Sequence, residues 1–195
     1  MTRFRNVEID PGVVRQLIEG NRKAQEIVYR AYANAVYTLA RRILNDAGLA
    51  EEVTQDTFVD VIRAAHKLER PESLGAWLRT TAVNHCLMRL RSPWHRRRES
   101  LPEDDRAANG ANESVDDGTE RTMDIEHALG TLPSNARFVV WMHCVEGYTH
   151  DEIGRAFGRT ASFSKSQLAR ALKALAKHRG MNHEQRTTPA TVCAS

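Results

Sequence analysis

The sequence predicts an all-α protein: two small helical domains joined by a flexible acidic linker. Three observations point there. Apolar residues recur at helical spacing through two long stretches. Only 6 prolines and 11 glycines interrupt 195 residues, and the Ala-, Leu-, Arg- and Glu-rich segments between them favour helices over a many-stranded sheet. Charge falls in blocks: residues 1–98 hold 17 Lys/Arg against 11 Asp/Glu, residues 99–126 hold 2 against 10, and residues 127–180 hold 8 against 3. Basic blocks attract nucleic acid, and a like-charged acidic run stays solvated. The expected organisation is a first domain over 11–98, a linker over 99–121, a second domain over 122–180 and a disordered tail over 181–195.

The first domain reads as four helices. Val13, Val14, Leu17 and Ile18 form a short stripe after Pro11. Residues 24–44 follow, with Ile27, Val28, Ala31, Ala35, Val36, Leu39 and Ile43 on one face. After the turn Asn45-Asp46-Ala47-Gly48, residues 49–66 carry Leu49, Val53, Val61, Ile62 and Ala65. A fourth helix runs from about Ser73 to Leu90 on Leu74, Trp77, Leu78, Ala82 and Leu87, and Pro93 ends it. Residues 99–120 have no apolar period and read as linker.

The second domain starts with helices at 122–132 and 134–146, divided by Pro133. Thr149-His150-Asp151-Glu152 fits a capping box, in which the Thr149 hydroxyl and the Glu152 carboxylate satisfy each other's backbone amides. That helix ends at Gly158. A last helix spans 161–179 with Leu168, Leu172 and Leu175 inward and Lys165, Arg170, Lys173 and Lys177 outward.

Composition also excludes. No run approaches the ~18 apolar residues of a membrane span. The first ten residues, MTRFRNVEID, place charges where a signal peptide needs its apolar core, so a cytoplasmic protein is expected. Cys86, Cys144 and Cys193 lie far apart and read as reduced thiols. His143 and Cys144 are adjacent, and neighbours on a helix point about 100° apart, so no metal and no cofactor is assigned.

Three patterns carry function. Residues 149–176 form a helix-turn-helix whose second helix exposes cations, the arrangement needed to enter a major groove between phosphates. Arg89, Arg91, Arg96, Arg97 and Arg98 surround Trp94, combining phosphate-binding charge with a stacking surface suited to melted DNA. Glu52 and Asp56, four apart with Gln55 beside them, share an acidic face. On residues alone that face is a solvated surface, a protein-docking site or a paired-carboxylate acid/base site, and a stand-alone duplex-binding regulator and a nuclease both stay open.

Several stretches together carry a more specific resemblance. Ala50-Glu51-Glu52-Val53-Thr54-Gln55-Asp56-Thr57-Phe58, then Ala76-Trp77-Leu78 through Ala82-Val83-Asn84, then Gly147-Tyr148-Thr149-His150-Asp151-Glu152-Ile153, with Lys165-Ser166 and Arg170-Ala171, resemble extracytoplasmic-function (ECF) sigma factors of bacterial RNA polymerase. Residues 24–98 are similar to sigma domain two and 122–179 to sigma domain four. The resemblance implies a promoter-directing initiation factor and not an enzyme, since polymerase supplies the chemistry. It implies that Glu52, Gln55 and Asp56 dock on the beta-prime clamp helices, with the beta flap a further contact. Asn84 is implied to capture an unstacked base of the minus-ten element, followed by the basic run Arg89 to Arg98. Ser162, Lys165, Ser166 and Arg170 are implied to read the minus-thirty-five element, and the acidic linker to thread toward the polymerase active-site channel. Promoter DNA and core polymerase are the implied partners, with an anti-sigma factor or a regulatory kinase as further candidates and Thr54 a candidate phosphoacceptor. The chain departs from the family pattern at Met88, where Asp is common, at Arg159, and at Phe163-Ser164, where Phe163 is expected to restore a core contact by shifted packing.

Overall fold

The computed structural model describes residues 4, 7–92 and 127–186, with side chains to residue 177. The predicted acidic linker, Trp94, Arg96, Arg97 and Arg98 lie outside the described residues, as does most of the predicted tail.

Asp10 caps α1 (Pro11–Ile18) by accepting from the Gly12 amide at 2.7 Å. Asn21 caps α2 (Arg22–Leu44) by accepting from the Lys23 and Ala24 amides, and Asp46 caps α3 (Ala47–Ala64) through the Leu49 amide. Each such cap satisfies an amide that the helix leaves without an acceptor, worth about 1 kcal/mol. Asn45, at φ 55°, takes the left-handed conformation that turns the chain from α2 into α3. Two short 3-10 turns, Ala65–Lys67 and Pro71–Ser73, lead into α4 (Leu74–Arg91). Val28, Val36, Leu39 and Ile43 of α2 close a core with Val53 and Val61 of α3 and Leu74, Leu78 and Cys86 of α4. Phe4, stacked on Tyr32 at 6.2 Å, also belongs to it, so the first domain's packing begins before Pro11.

After a helical turn at 127–130, α5 (Ser134–Val140) passes directly into a π-turn, Trp141–Val145. Then come α6 (His150–Ala156) and α7 (Ala161–Arg186). Thr149 and Glu152 form the predicted capping box, at 2.8 and 3.2 Å. The turn between α6 and α7 is tight enough to demand glycine: a Cβ on Gly154 would sit 2.7 Å from the Thr160 carbonyl carbon.

Several expectations change. The second domain keeps a small cluster of its own, Leu132, Ala136, Val140 and Ala171, but Phe138, Val139, Trp141, Met142 and Ile153 join the apolar cluster of α2, α3 and α4. An apolar stripe shows that a helix is buried, not against what. Ile27 and Leu172, read as inward, are 45% and 52% exposed, because each lies one residue, about 100°, from a buried neighbour, Val28 and Ala171. The last helix continues to Arg186 instead of ending at 179, running through Gly180 and Asn182. Among the described residues no strand occurs, and no helix is long and apolar enough to cross a membrane.

Candidate functional site

The acidic face sits on the outer side of α3. Helical geometry sends Val53, Thr54, Thr57 and Phe58 inward, leaving Glu52, Gln55, Asp56 and Asp60 outward. Thr54 is 6% exposed, and its hydroxyl donates to the Ala50 carbonyl at 2.7 Å. A kinase could not reach that hydroxyl in the folded chain, which removes Thr54 as a surface phosphoacceptor.

The same face is bound to α4. Arg89 reaches Asp56 at 2.6 Å and Glu52 at 3.4 Å, and His85 reaches Asp60 at 2.9 Å. Sequence reasoning placed Arg89 with the DNA-facing cations and missed its carboxylate partners, which lie some thirty residues earlier and meet it only through the antiparallel α3–α4 packing. Asn84 is exposed on the outer face of α4, where Thr80 and Met88 lie one turn to either side. Arg91 is also exposed and donates to the Ala156 carbonyl at the end of α6. Trp77 is half-buried against the core, as expected of a residue on the apolar stripe.

Ser162, Lys165, Ser166 and Arg170 all lie on the exposed side of α7, with Ala169 and Lys173 continuing the face. The helix is held from behind by an aromatic series: Phe163 packs on Phe157 at 5.2 Å, and Phe157 meets Phe138 edge-on at 5.1 Å. Phe163 thus makes the shifted core contact expected of it. Ser164 is fully buried, and its hydroxyl lies 3.0 Å from His150 Nδ1. His150 in turn stacks on His143, with ring centroids 4.1 Å apart. His143 Nδ1 donates to the Tyr148 carbonyl at 2.8 Å. No sequence signal singled out this histidine pair: the small polar Ser164 at an inward position implies only that some polar partner faces it.

Charged groups also join the two domains. Arg137, 5% exposed, donates to the Ile43 and Leu44 carbonyls that end α2, at 2.8 and 3.3 Å, and to the Gly130 carbonyl at 3.2 Å. A cation at the negative end of a helix is favourably placed. Arg79 pairs with Glu146 at 3.2 Å, and the Glu146 side chain is only 2% exposed. Arg42 lies over the Trp141 ring and Arg79 over Tyr148, at 5.0 and 5.4 Å.

Electrostatics shift a few groups. Burial pushes the Cys86 thiol well up, with Arg89 opposing, so this cysteine is an inert core residue. Hydrogen bonds from the Thr149 amide and hydroxyl hold the Glu152 carboxyl below its usual range. Among the described residues no cluster of three or more His, Cys, Asp or Glu is arranged to hold a metal ion.

Residues 28–97 match the Sigma-70 region 2 family and residues 122–175 match Sigma-70, region 4. The chain is 32% identical to the ECF RNA polymerase sigma factor SigE of Mycolicibacterium smegmatis over 76% of its length, and spans 60% of that relative. It is 30% identical to the ECF RNA polymerase sigma factor SigF of Caulobacter vibrioides, covering 70% of this chain and 74% of that one. In fold it is similar to the sigma factor RpoE of Bartonella quintana, solved in complex with the anti-sigma factor NepR. That match has a TM-score of 0.53 at 20% identity and covers 78% of this chain and 94% of that one.

Proposed function

Because the chain belongs to the ECF sigma factors, which direct RNA polymerase to promoters in transcription initiation, we propose a division of that work among its faces. The outer face of α3, with Glu52, Gln55 and Asp56, docks on the beta-prime clamp helices, and the second domain engages the beta flap. Asn84 captures a base of the minus-ten element, and the cations from Arg89 through Arg98, with Trp94, hold the melted strand. Ser162, Lys165, Ser166 and Arg170 read the minus-thirty-five element from α7. The chain works beside polymerase in the cytoplasm and leaves the chemistry to it. An anti-sigma factor is a candidate partner, since a relative of the same fold is held by one.

One observation carries the reading: an exposed acidic face and an exposed basic helix-turn-helix occur in one chain, on different domains. A stand-alone duplex-binding regulator would need only the second. The contacts between the domains fit an unengaged state. The two promoter elements lie about 25 base pairs apart, roughly 85 Å of B-form DNA at 3.4 Å per step. Arg91 meanwhile touches Ala156. Reading both elements therefore requires the domains to separate. The 34 residues from 93 to 126 suffice, since an extended chain spans up to ~3.3–3.6 Å per residue.

In-vitro transcription with bacterial core polymerase tests the proposal. A promoter-specific transcript that depends on both elements is expected. Tight, sequence-specific duplex binding by the free protein at physiological salt would favour the regulator instead.

A further inference from the structure

We propose that His150 is a positioning residue for the reading helix: backed by the His143 ring, it holds the buried Ser164 hydroxyl and so fixes how the first turn of α7 presents Ser162, Lys165 and Ser166. The proposal rests on assigning that face to the upstream element.

Ser164 is the starting point. It is fully buried, one residue from Lys165 and two from Ser162 and Ser166, which are all exposed. A buried hydroxyl needs a partner, and His150 Nδ1, 3.0 Å away, supplies it from the first turn of α6. His150 is itself held. Its ring lies on that of His143 at 4.1 Å and 23°. His143 is fixed because its Nδ1 donates to the Tyr148 carbonyl, which only accepts. The series runs from the loop before α6, through two rings, into the inner side of the reading helix.

Holding one inner residue controls the outer ones, because a helix rolls as a unit. A roll of about 15° moves a side-chain tip at ~6 Å radius by roughly 1.5 Å, more than a base-edge hydrogen bond tolerates. Apolar packing of Phe163 on Phe157 sets the helix spacing, but two tilted rings resist such a roll poorly. The directional Ser164–His150 contact resists it.

Charge adds a dependence that packing alone would lack. The titratable and charged groups facing His150 are His143 from the π-turn, Lys165 from α7 and Asp151 on its own helix. Burial, then the His143 and Lys165 charges, hold His150 below its ordinary 6.5, with Asp151 opposing. A base with a lowered folded pKa favours the folded arrangement in its neutral form. The contribution is fully present above about 6.5 and is lost as pH falls toward and through the lowered value. Protonation puts a cation beside Lys165, and that repulsion loosens the stack.

The test uses the full chain with core polymerase and two templates that differ only in the upstream element. The ratio of transcripts from intact and scrambled templates isolates reading by α7 from all other pH effects. In the wild type this ratio should hold at about pH 7.5 and fall several-fold at an acid pH below histidine's ordinary value of about 6.5. His150→Asn, which offers a polar atom near the Nδ1 position but cannot titrate, should keep the wild-type ratio at the higher pH and hold it at the lower. His150→Ala should give a low ratio at both, and adding Ser164→Ala should cost nothing further, with circular dichroism confirming folded protein throughout. A His150→Ala ratio and pH profile equal to the wild type would overturn the proposal alone. An acid-induced fall shared by His150→Asn would also overturn it. A wild-type ratio of one at every pH would overturn the assignment of α7 to the upstream element, and the proposal with it.

Discussion

Replacing Arg137 by Met should part the two domains. The methionine keeps most of the buried stem and deletes the guanidinium. Two of its hydrogen bonds cross to the first domain, to the carbonyls of Ile43 and Leu44. Hydrogen bonds from charged donors contribute about 1.5–3 kcal/mol each. The carbonyls regain water once the domains separate, so the lower end applies, and the expected loss is about 3 kcal/mol. At about 1.4 kcal/mol per tenfold, the balance between joined and separated domains shifts by roughly a hundredfold. Small-angle X-ray scattering reads this directly: the wild type should be compact and Arg137→Met extended, with unchanged helicity by circular dichroism. Arg137→Lys should fall between, because an ammonium keeps the charge without the planar fork. Arg137 also holds the Gly130 carbonyl within its own domain, so Arg79→Gln, which breaks the pair with Glu146, is the independent check. Identical scattering from wild type, Arg137→Met and Arg79→Gln would refute the reasoning.

Other outcomes follow from the exposed faces. Asn84→Ala should impair promoter opening while leaving assembly with polymerase intact, so permanganate footprinting should lose reactive thymines and a pull-down of core should not change. Arg170→Ala should weaken use of the upstream element by about 1–3 kcal/mol if the side chain reads a base edge, seen as weaker holoenzyme binding to an intact but not a scrambled element. Asp56→Lys should reduce retention of core polymerase sharply with folding preserved, because like charges at an interface cost several kcal/mol. Equal retention by both proteins would remove Asp56 from the docking site.

The helices were legible because their information is local. Periodicity located α2, α3, α4 and α7, and the Thr149/Glu152 capping box needed only its own four residues. What escaped was tertiary. The stripe of α5 and its π-turn announced burial, but nothing in it told that Trp141 and Met142 would join the core of the first domain. Thr54 stood among acidic residues in sequence, yet a rotation of about 100° from Gln55 carries it into the buried side of α3. The outward cations of α7 were predictable from the same rotation. The polar series behind them was not, since Ser164 and His150 belong to different helices.

Arg89 shows why the two functional faces of the first domain are not independent. The proposed roles give it to DNA and give Glu52 and Asp56 to polymerase, but in the isolated chain these groups pair with one another. The pair is partly exposed, so water and salt screen it and its net strength is about 0–1 kcal/mol. A contact that weak does not prevent docking. It does mean that a polymerase cation meeting Asp56 replaces Arg89 instead of meeting a bare carboxylate, which lowers the gain from that single contact. The displaced guanidinium lies two residues before Arg91 and within a run that carries no other described carboxylate partner for it. Under the proposed roles, docking would therefore return one positive charge to the surface proposed to hold the melted strand. In the free chain that charge is masked, so basic composition alone overstates the protein's affinity for DNA before polymerase binds.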